Sequence, residues 1–158
     1  MENLLAELTL RLKSGGSPET VLAGFLDAVL GHFQCETGTF HRLVVDEHRL
    51  HLVVQKGLPP ALLAVVQTIP VGKGIAGQVV AQGRPVTLCN LQTDTSGTAR
   101  PGARQTGLGG ALCVPVLRDG AITGTLGIGT RREHEFSPAE TAELEEIGRL
   151  IGAAWPPG

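Results

Sequence analysis

The sequence predicts an α+β fold, with an antiparallel sheet and its long helices gathered on one side. Three observations predict it. Two β-hairpins, over residues 39–56 and 111–130, are read from strand-forming runs closed by short turns. The crossover between them holds only short helices, which suits hairpins better than parallel strands. Amphipathic helices stand at both ends of the chain.

The elements follow in order. Leu5, Leu8 and Leu12 fall at i, i+3 and i+7, one apolar stripe on a helix over residues 3–13. Ser14-Gly15-Gly16 ends it. Ser17 offers an N-cap, with Pro18 at the first helical position. Val21, Leu22, Phe25, Leu26, Val29, Leu30 and Phe33 then give a second helix a wide apolar face, which needs a large packing partner. Residues 39–45 are rich in Thr, Phe and Val. Asp46-Glu47 is the turn, and residues 49–56 return with Leu50, Leu52, Val53 and Val54. Gly57 and Pro59-Pro60 break the hairpin, and residues 60–66 form a short helix with proline at its start. A short strand at 69–71 meets Gly72-Lys73-Gly74, a helix over 75–82 follows, and Gly83-Arg84-Pro85 leads into another strand.

Residues 95–107, TSGTARPGARQTG, form a polar loop of a length that is usually functional in a compact domain. Strands over 111–117 and 122–130 enclose Arg118-Asp119-Gly120, whose Asp-Gly pair is a hairpin signal. Pro115 cannot donate to a ladder, so a bulge or unpaired position is expected there. Ser137-Pro138-Ala139-Glu140 is a capping box that opens the last helix. Its stripe is Leu144, Ile147, Ile151 and Ala154, and Trp155-Pro156-Pro157 stops it. Residues 1–16 thus read as an N-terminal amphipathic helix and 17–155 as one domain, without repeat or linker.

Composition excludes several functions. The net charge is −2 and there is no basic run, so nucleic acid is not an expected partner. No apolar run approaches the ~18 residues of a membrane span. Acids precede the first leucines and no small-residue cleavage site follows, so the N-terminus is no signal peptide and the expected location is cytoplasmic. Aromatic residues are 3%, too few for stacking platforms. Cys35, Cys89 and Cys113 are far apart and form no CxxC, so they are expected to be small buried residues rather than zinc ligands or a redox pair. His41, Asp46, Glu47, His48 and His51 invite a metal site, but His48 and His51 would point to opposite faces of a strand. No Ser-His-acid set or paired carboxylate appears, so the chain is expected not to be an enzyme. Any activity would rest on Cys89 or Cys113.

Gly72-Lys73-Gly74-Ile75-Ala76-Gly77 matches GxGxxG, with Asp94 about 20 residues on. A dinucleotide fold needs alternating strands and full crossover helices on a parallel sheet. Two hairpins cannot supply that. The glycines are expected to shape a turn at Gly72–Gly74 and close packing at Gly77.

Three stretches, IPVGKGIAGQVVAQGRPVTLCNL, ALCVPVLRDGAITGTLGIG and EFSPAETAELEEIGRLIGAA, together resemble the GAF domains, small-molecule sensor modules of signalling proteins. The resemblance covers residues 17–154. It implies a GAF/PAS-like fold, a five- or six-stranded antiparallel sheet with terminal helices on one face and a pocket on the other, roofed by short helices and residues 95–107. It also implies signal transduction by a stand-alone sensor, with an unidentified ligand and no named cofactor. The chain departs from the marked branches of the family. The Asn-Lys pair of the cyclic-nucleotide binders is absent, and Gly127 stands where some of them carry Glu. Residues 95–108 hold no cysteine for a bilin, although Cys89 is just upstream. The cysteines of the free-methionine-sulfoxide reductases would fall at Val66, Ala76 and Arg104.

Strand alternation places Thr39 and His41 on one face with Leu43, and Thr125 on the same side as Gly127. From the roof, Ile75, Val79, Asn90, Asp94, Arg104 and Thr106 are expected to reach inward. Apolar walls with a few polar anchors are the usual form of a ligand site. The expected partners are that ligand, a second copy of the chain joined through the terminal helices, and a separate output protein. The alternative is a ligand-free structural or dimerisation module, favoured by the small residues Gly124, Gly127 and Gly129.

Overall fold

The computed structural model describes residues 2–13, 17–88 and 109–154. Strands β1 (Thr37–Val44), β2 (Arg49–Lys56), β3 (Thr68–Pro70), β4 (Val86–Leu88), β5 (Ala111–Arg118) and β6 (Ala121–Gly129) form one antiparallel sheet in the order β3-β2-β1-β6-β5-β4. Helices α1 (Glu2–Lys13), α2 (Pro18–Phe33) and α5 (Pro138–Ala154) lie on one face. The short helix α4 (Gly74–Gln82) lies on the other, and α3 (Pro60–Val66) packs at the β3 edge. The α+β class, the antiparallel sheet and the segregation of the long helices are as the sequence predicts. Among the described residues no helix is long and apolar enough to cross a membrane.

The main core is the helix face. Leu22, Phe25, Leu26 and Val29 of α2 and Leu144, Ile147 and Ile151 of α5 pack on Leu112, Val114, Val116, Leu126 and Ile128 of the sheet. The leucine stripe of α1 is used here too. Leu8 is fully buried, Leu4 joins it, and Leu5 and Leu12 pack at the edge. Of the α1 leucines, Leu10 alone stands out into solvent.

Local signals explain the helix ends. Ser17 Oγ accepts from the Thr20 amide at 3.2 Å. The capping box of α5 forms in both directions: the Glu140 amide donates to Ser137 Oγ at 3.1 Å, and the Ser137 amide to Glu140 Oε1 at 2.9 Å. Burial opposes ionisation of Glu140, but these bonds and the His134 ring outweigh it and hold the carboxyl below its usual range.

Beyond its first turn, α5 differs from the expected stripe. Ala154 is exposed, and Gly148 and Gly152 take the buried positions beside Ile151. A Cβ at Gly152 would run into the Leu117 carbonyl oxygen, and one at Gly148 would sit 3.1 Å from the Pro115 carbonyl oxygen. The glycines let the helix lie directly on β5. Arg118 Nη1 then reaches the Gly152 and Ala153 carbonyls at 3.2 and 3.1 Å and completes the helix end.

Asp119 and Gly120 both have positive φ, 51° and 81°, the geometry of a two-residue hairpin turn. Pro115 itself pairs with Thr125, and the expected irregularity falls one step later, between Val116 and Leu117. The expected loop over 95–107, the breaker at Ser14-Gly15-Gly16 and the stop at Trp155 lie outside the described residues.

Candidate functional site

The face away from the long helices is built by alternation along the central strands. Gly38 and Phe40 of β1 turn toward α2 and the main core. Thr39, His41 and Leu43 therefore face the other way. Across β6, Thr39 pairs with Gly127 and His41 with Thr125. Across β5, Gly127 pairs with Cys113. The register of β1 on β2 slips between Phe40 and His41, so Val53 and Val54 both pack on the main core while Leu52 lies opposite His41. Bulges of this kind re-aim side chains beside functional sites.

Helix α4 covers part of this face. Ala76 and Val79 form a small cluster with Leu50, Ile69 and Cys113, and Ile75 and Leu43 pack against it. Thr39, His41, Ile75, Val79 and Thr125 thus belong to one side of the molecule, as expected from the sequence. Asn90, Asp94, Arg104 and Thr106 lie outside the described residues, as does Cys89.

His41 is 1% exposed and Thr125 fully buried. His41 Nε2 lies 2.8 Å from the Val66 carbonyl oxygen at the end of α3. A carbonyl only accepts, so Nε2 carries the proton and Nδ1 presents a lone pair. Burial lowers the His41 pKa below 6.5, the Val66 bond opposes that shift, and His51 adds to it. The neutral ring follows from its desolvation. His41 Nδ1 and Thr125 Oγ1 are buried without a hydrogen-bond partner among the described residues. Each such atom costs about 1–3 kcal/mol if left dry.

The surroundings of the pair are small and uncharged. A Cβ at Gly127 would meet Thr39 Oγ1 at 3.0 Å and then Cys113 Sγ at 3.7 Å, so the glycine keeps the floor low between them. Burial pushes the Cys113 thiol up to about 12, opposed by the Thr125 hydroxyl, which makes no well-formed hydrogen bond with it. Burial likewise pushes the Cys35 thiol up to about 12.

The glycine turn has its amides engaged. Gly72 and Gly74 have positive φ, 89° and 63°. The Gly72 amide donates to the Gly77 carbonyl at 2.9 Å and the Lys73 amide to the Pro70 carbonyl at 3.1 Å. Gln78 Nε2 donates to the Gly72 carbonyl at 2.9 Å. A Cβ at Gly77 would sit 2.5 Å from the Pro70 carbonyl oxygen. These residues close a turn on α4, and the two amides point at protein acceptors. At the far end of the β1–β2 hairpin, His51 Nε2 meets Glu47 Oε1 at 2.7 Å in an exposed pair. Among the described residues no group of three His, Cys, Asp or Glu side chains is placed to hold a metal ion.

Cys113, Leu50 and the Val66 carbonyl were not among the residues expected at this face. Alternation on β5, counted from its pairing with β6, would have found Cys113. The Val66 contact joins residues 25 apart and has no local signal.

A family model for the GAF domain matches residues 16–155. No curated protein matches the sequence. Among solved structures, the chain is similar to the GAF domain of an Acinetobacter phosphoenolpyruvate-protein phosphotransferase (TM-score 0.80, 19% identity, covering 96% of this chain and 90% of that one). It is also similar to the corresponding GAF domain from Coxiella burnetii (TM-score 0.81, 18% identity, 96% and 90% covered). A third similar structure is the free methionine-R-sulfoxide reductase of Neisseria meningitidis in complex with its substrate (TM-score 0.80, 18% identity, 96% and 85% covered). At these identities the likeness speaks for the fold.

Proposed function

The chain belongs to the GAF domain family, and from that membership we propose that it is a sensor domain binding a small organic molecule on the sheet face away from its long helices. One observation carries the reading. The helix face is completed by the chain's own apolar side chains, whereas the other face buries His41 Nδ1 and Thr125 Oγ1 without partners among the described residues. In this reading Thr39, His41, Ile75, Val79 and Thr125 bind the ligand. Asn90, Asp94, Arg104 and Thr106 complete the set from the segment beyond β4. The domain works in the cytoplasm and hands its signal to a separate output protein, without nucleic acid or membrane.

It acts by binding rather than by catalysis. Thiols at about 12 ionise roughly a thousandfold less than thiols at 9.0, which leaves Cys35 and Cys113 poor nucleophiles. Maleimide is expected to leave Cys89 and Cys113 unlabelled in the folded protein, and rapid labelling of either would reopen an enzymatic role. An unbiased metabolite screen by native mass spectrometry and thermal shift tests the sensor reading. At least one small molecule is expected to bind and raise Tm, and an empty screen contradicts the reading.

The packing of Ala76 and Val79 onto Leu50, Ile69 and Cys113 favours a second reading, a ligand-free dimerisation module. The inner stripes of α1 and α5 are already used in the core, so a homodimer through these helices would use their outer faces, where Leu10 is 71% exposed. Sedimentation of a monomer at micromolar concentration counts against it.

A further inference from the structure

We propose that His41 and Thr125 form a recognition edge for an uncharged ligand group that carries a hydrogen-bond donor beside an acceptor, as a primary carboxamide does. The inference rests on the sensor reading and names the chemistry that its site selects. His41 and Thr125 are direct cross-strand partners on β1 and β6. Such pairs hold their Cβ atoms about 4.5–5.5 Å apart. One presents an acceptor, the imidazole Nδ1 lone pair. The other presents a hydroxyl that both donates and accepts. Both atoms are buried, and both lack partners among the described residues. An amide N–H fits Nδ1, and the amide oxygen fits the Thr125 hydroxyl.

The edge discriminates against charge. The described residues sharing this face around the pair are Thr39, Leu43 and Leu52, Gly127, and Cys113 and Pro115. None of these carries a charge, so an ion seated on them would lose its hydration and gain no counter-charge from these residues. A carboxylate would also set an oxygen lone pair against the Nδ1 lone pair. The same imidazole grips Val66 through Nε2. Donation into Nδ1 polarises the ring and strengthens the Nε2–H bond to the Val66 carbonyl. Occupancy is thereby passed to the end of α3.

Histidine-ring 15N NMR of the full chain tests this with matched probes: acetamide and benzamide, their N,N-dimethyl counterparts, and acetate and benzoate. Before any addition, the Nδ1 resonance is expected at the position of a free acceptor. The primary amides are expected to move it saturably toward a hydrogen-bonded value and to shift the Nε2–H proton downfield. The dimethylated amides and the carboxylates are expected to bind at least about fivefold more weakly. Thr125→Val is expected to weaken amide binding by a similar factor, and Thr125→Ser to retain it. Equal binding of an amide and its dimethylated counterpart overturns the inference. So does an Nδ1 already hydrogen-bonded before addition. If the metabolite screen yields a ligand that leaves Nδ1 unmoved, or if neither primary amide binds, the inference falls while the sensor reading stands. If nothing binds in either experiment, both fall.

Discussion

Thr125 and Leu126 are neighbours on one strand and belong to two different problems. Leu126 faces α2 and α5, where apolar side chains fill the space and glycines bring helix and strand into backbone contact. Thr125 faces the other way, with His41 opposite and no partner for its hydroxyl among the described residues. The first face is built for stability, and the second keeps two buried polar atoms without partners among the described residues. A protein that only needed to fold would fill both. Buried polar atoms without partners are rare in folded proteins and mark sites with a further role.

The contrast breaks first at the core. Leu126→Ala removes a 1% exposed side chain from a closed cluster and is expected to cost about 2–5 kcal/mol in urea unfolding. Gly152→Ala forces a Cβ against the Leu117 carbonyl and is expected to lose about 1–3 kcal/mol, since α5 must lift from β5. A loss below about 0.5 kcal/mol for either would mean that the helix face is looser than its packing implies. Ser137→Ala removes half of the capping box and is expected to cost about 1 kcal/mol, read from the same curves.

Acid sharpens the comparison on the other face. The folded His41 ring is held neutral by burial, so its pKa lies below 6.5 while the unfolded value does not. The unfolded chain then binds more protons in acid. The contribution of His41 is fully present above 6.5 and is lost as pH falls below it, by at most about 1.4 kcal/mol per pH unit. Glu140 adds a loss of the same sign at lower pH, since its carboxyl is held below the usual range. His41→Gln removes the titrating ring and can still donate to Val66. It is expected to flatten the slope just below pH 6.5 and leave the Glu140 loss in place. An unchanged slope would show that His41 is protonated in the fold.

Much of this architecture was legible in the sequence, for identifiable reasons. The turn at Asp119-Gly120, the capping box at Ser137 and the wide apolar face of α2 are local patterns tied to backbone geometry. They locate the second hairpin, the start of α5 and the main core. Alternation groups Thr39 with His41 and Thr125 with Gly127, and the resemblance to sensor domains puts both groups on one face. Ala154 was misjudged because helical periodicity counts apolar positions and misses glycines that serve by having no side chain. The grip of His41 on Val66 was not legible, since it depends on how α3 lies over the sheet. Asn90, Asp94, Arg104 and Thr106 were chosen on the resemblance to sensor domains and remain proposals.

In the proposed reading, the sheet face under α4 is unfinished without a ligand. Thr125→Val tests it most directly, because a methyl replaces the hydroxyl at nearly constant volume. Urea unfolding of the ligand-free protein is expected to show Thr125→Val as stable as the parent, or about 1 kcal/mol more stable, beside the large loss for Leu126→Ala. A loss above about 1 kcal/mol for Thr125→Val would mean that the hydroxyl is already satisfied within the fold, and would contradict the claim.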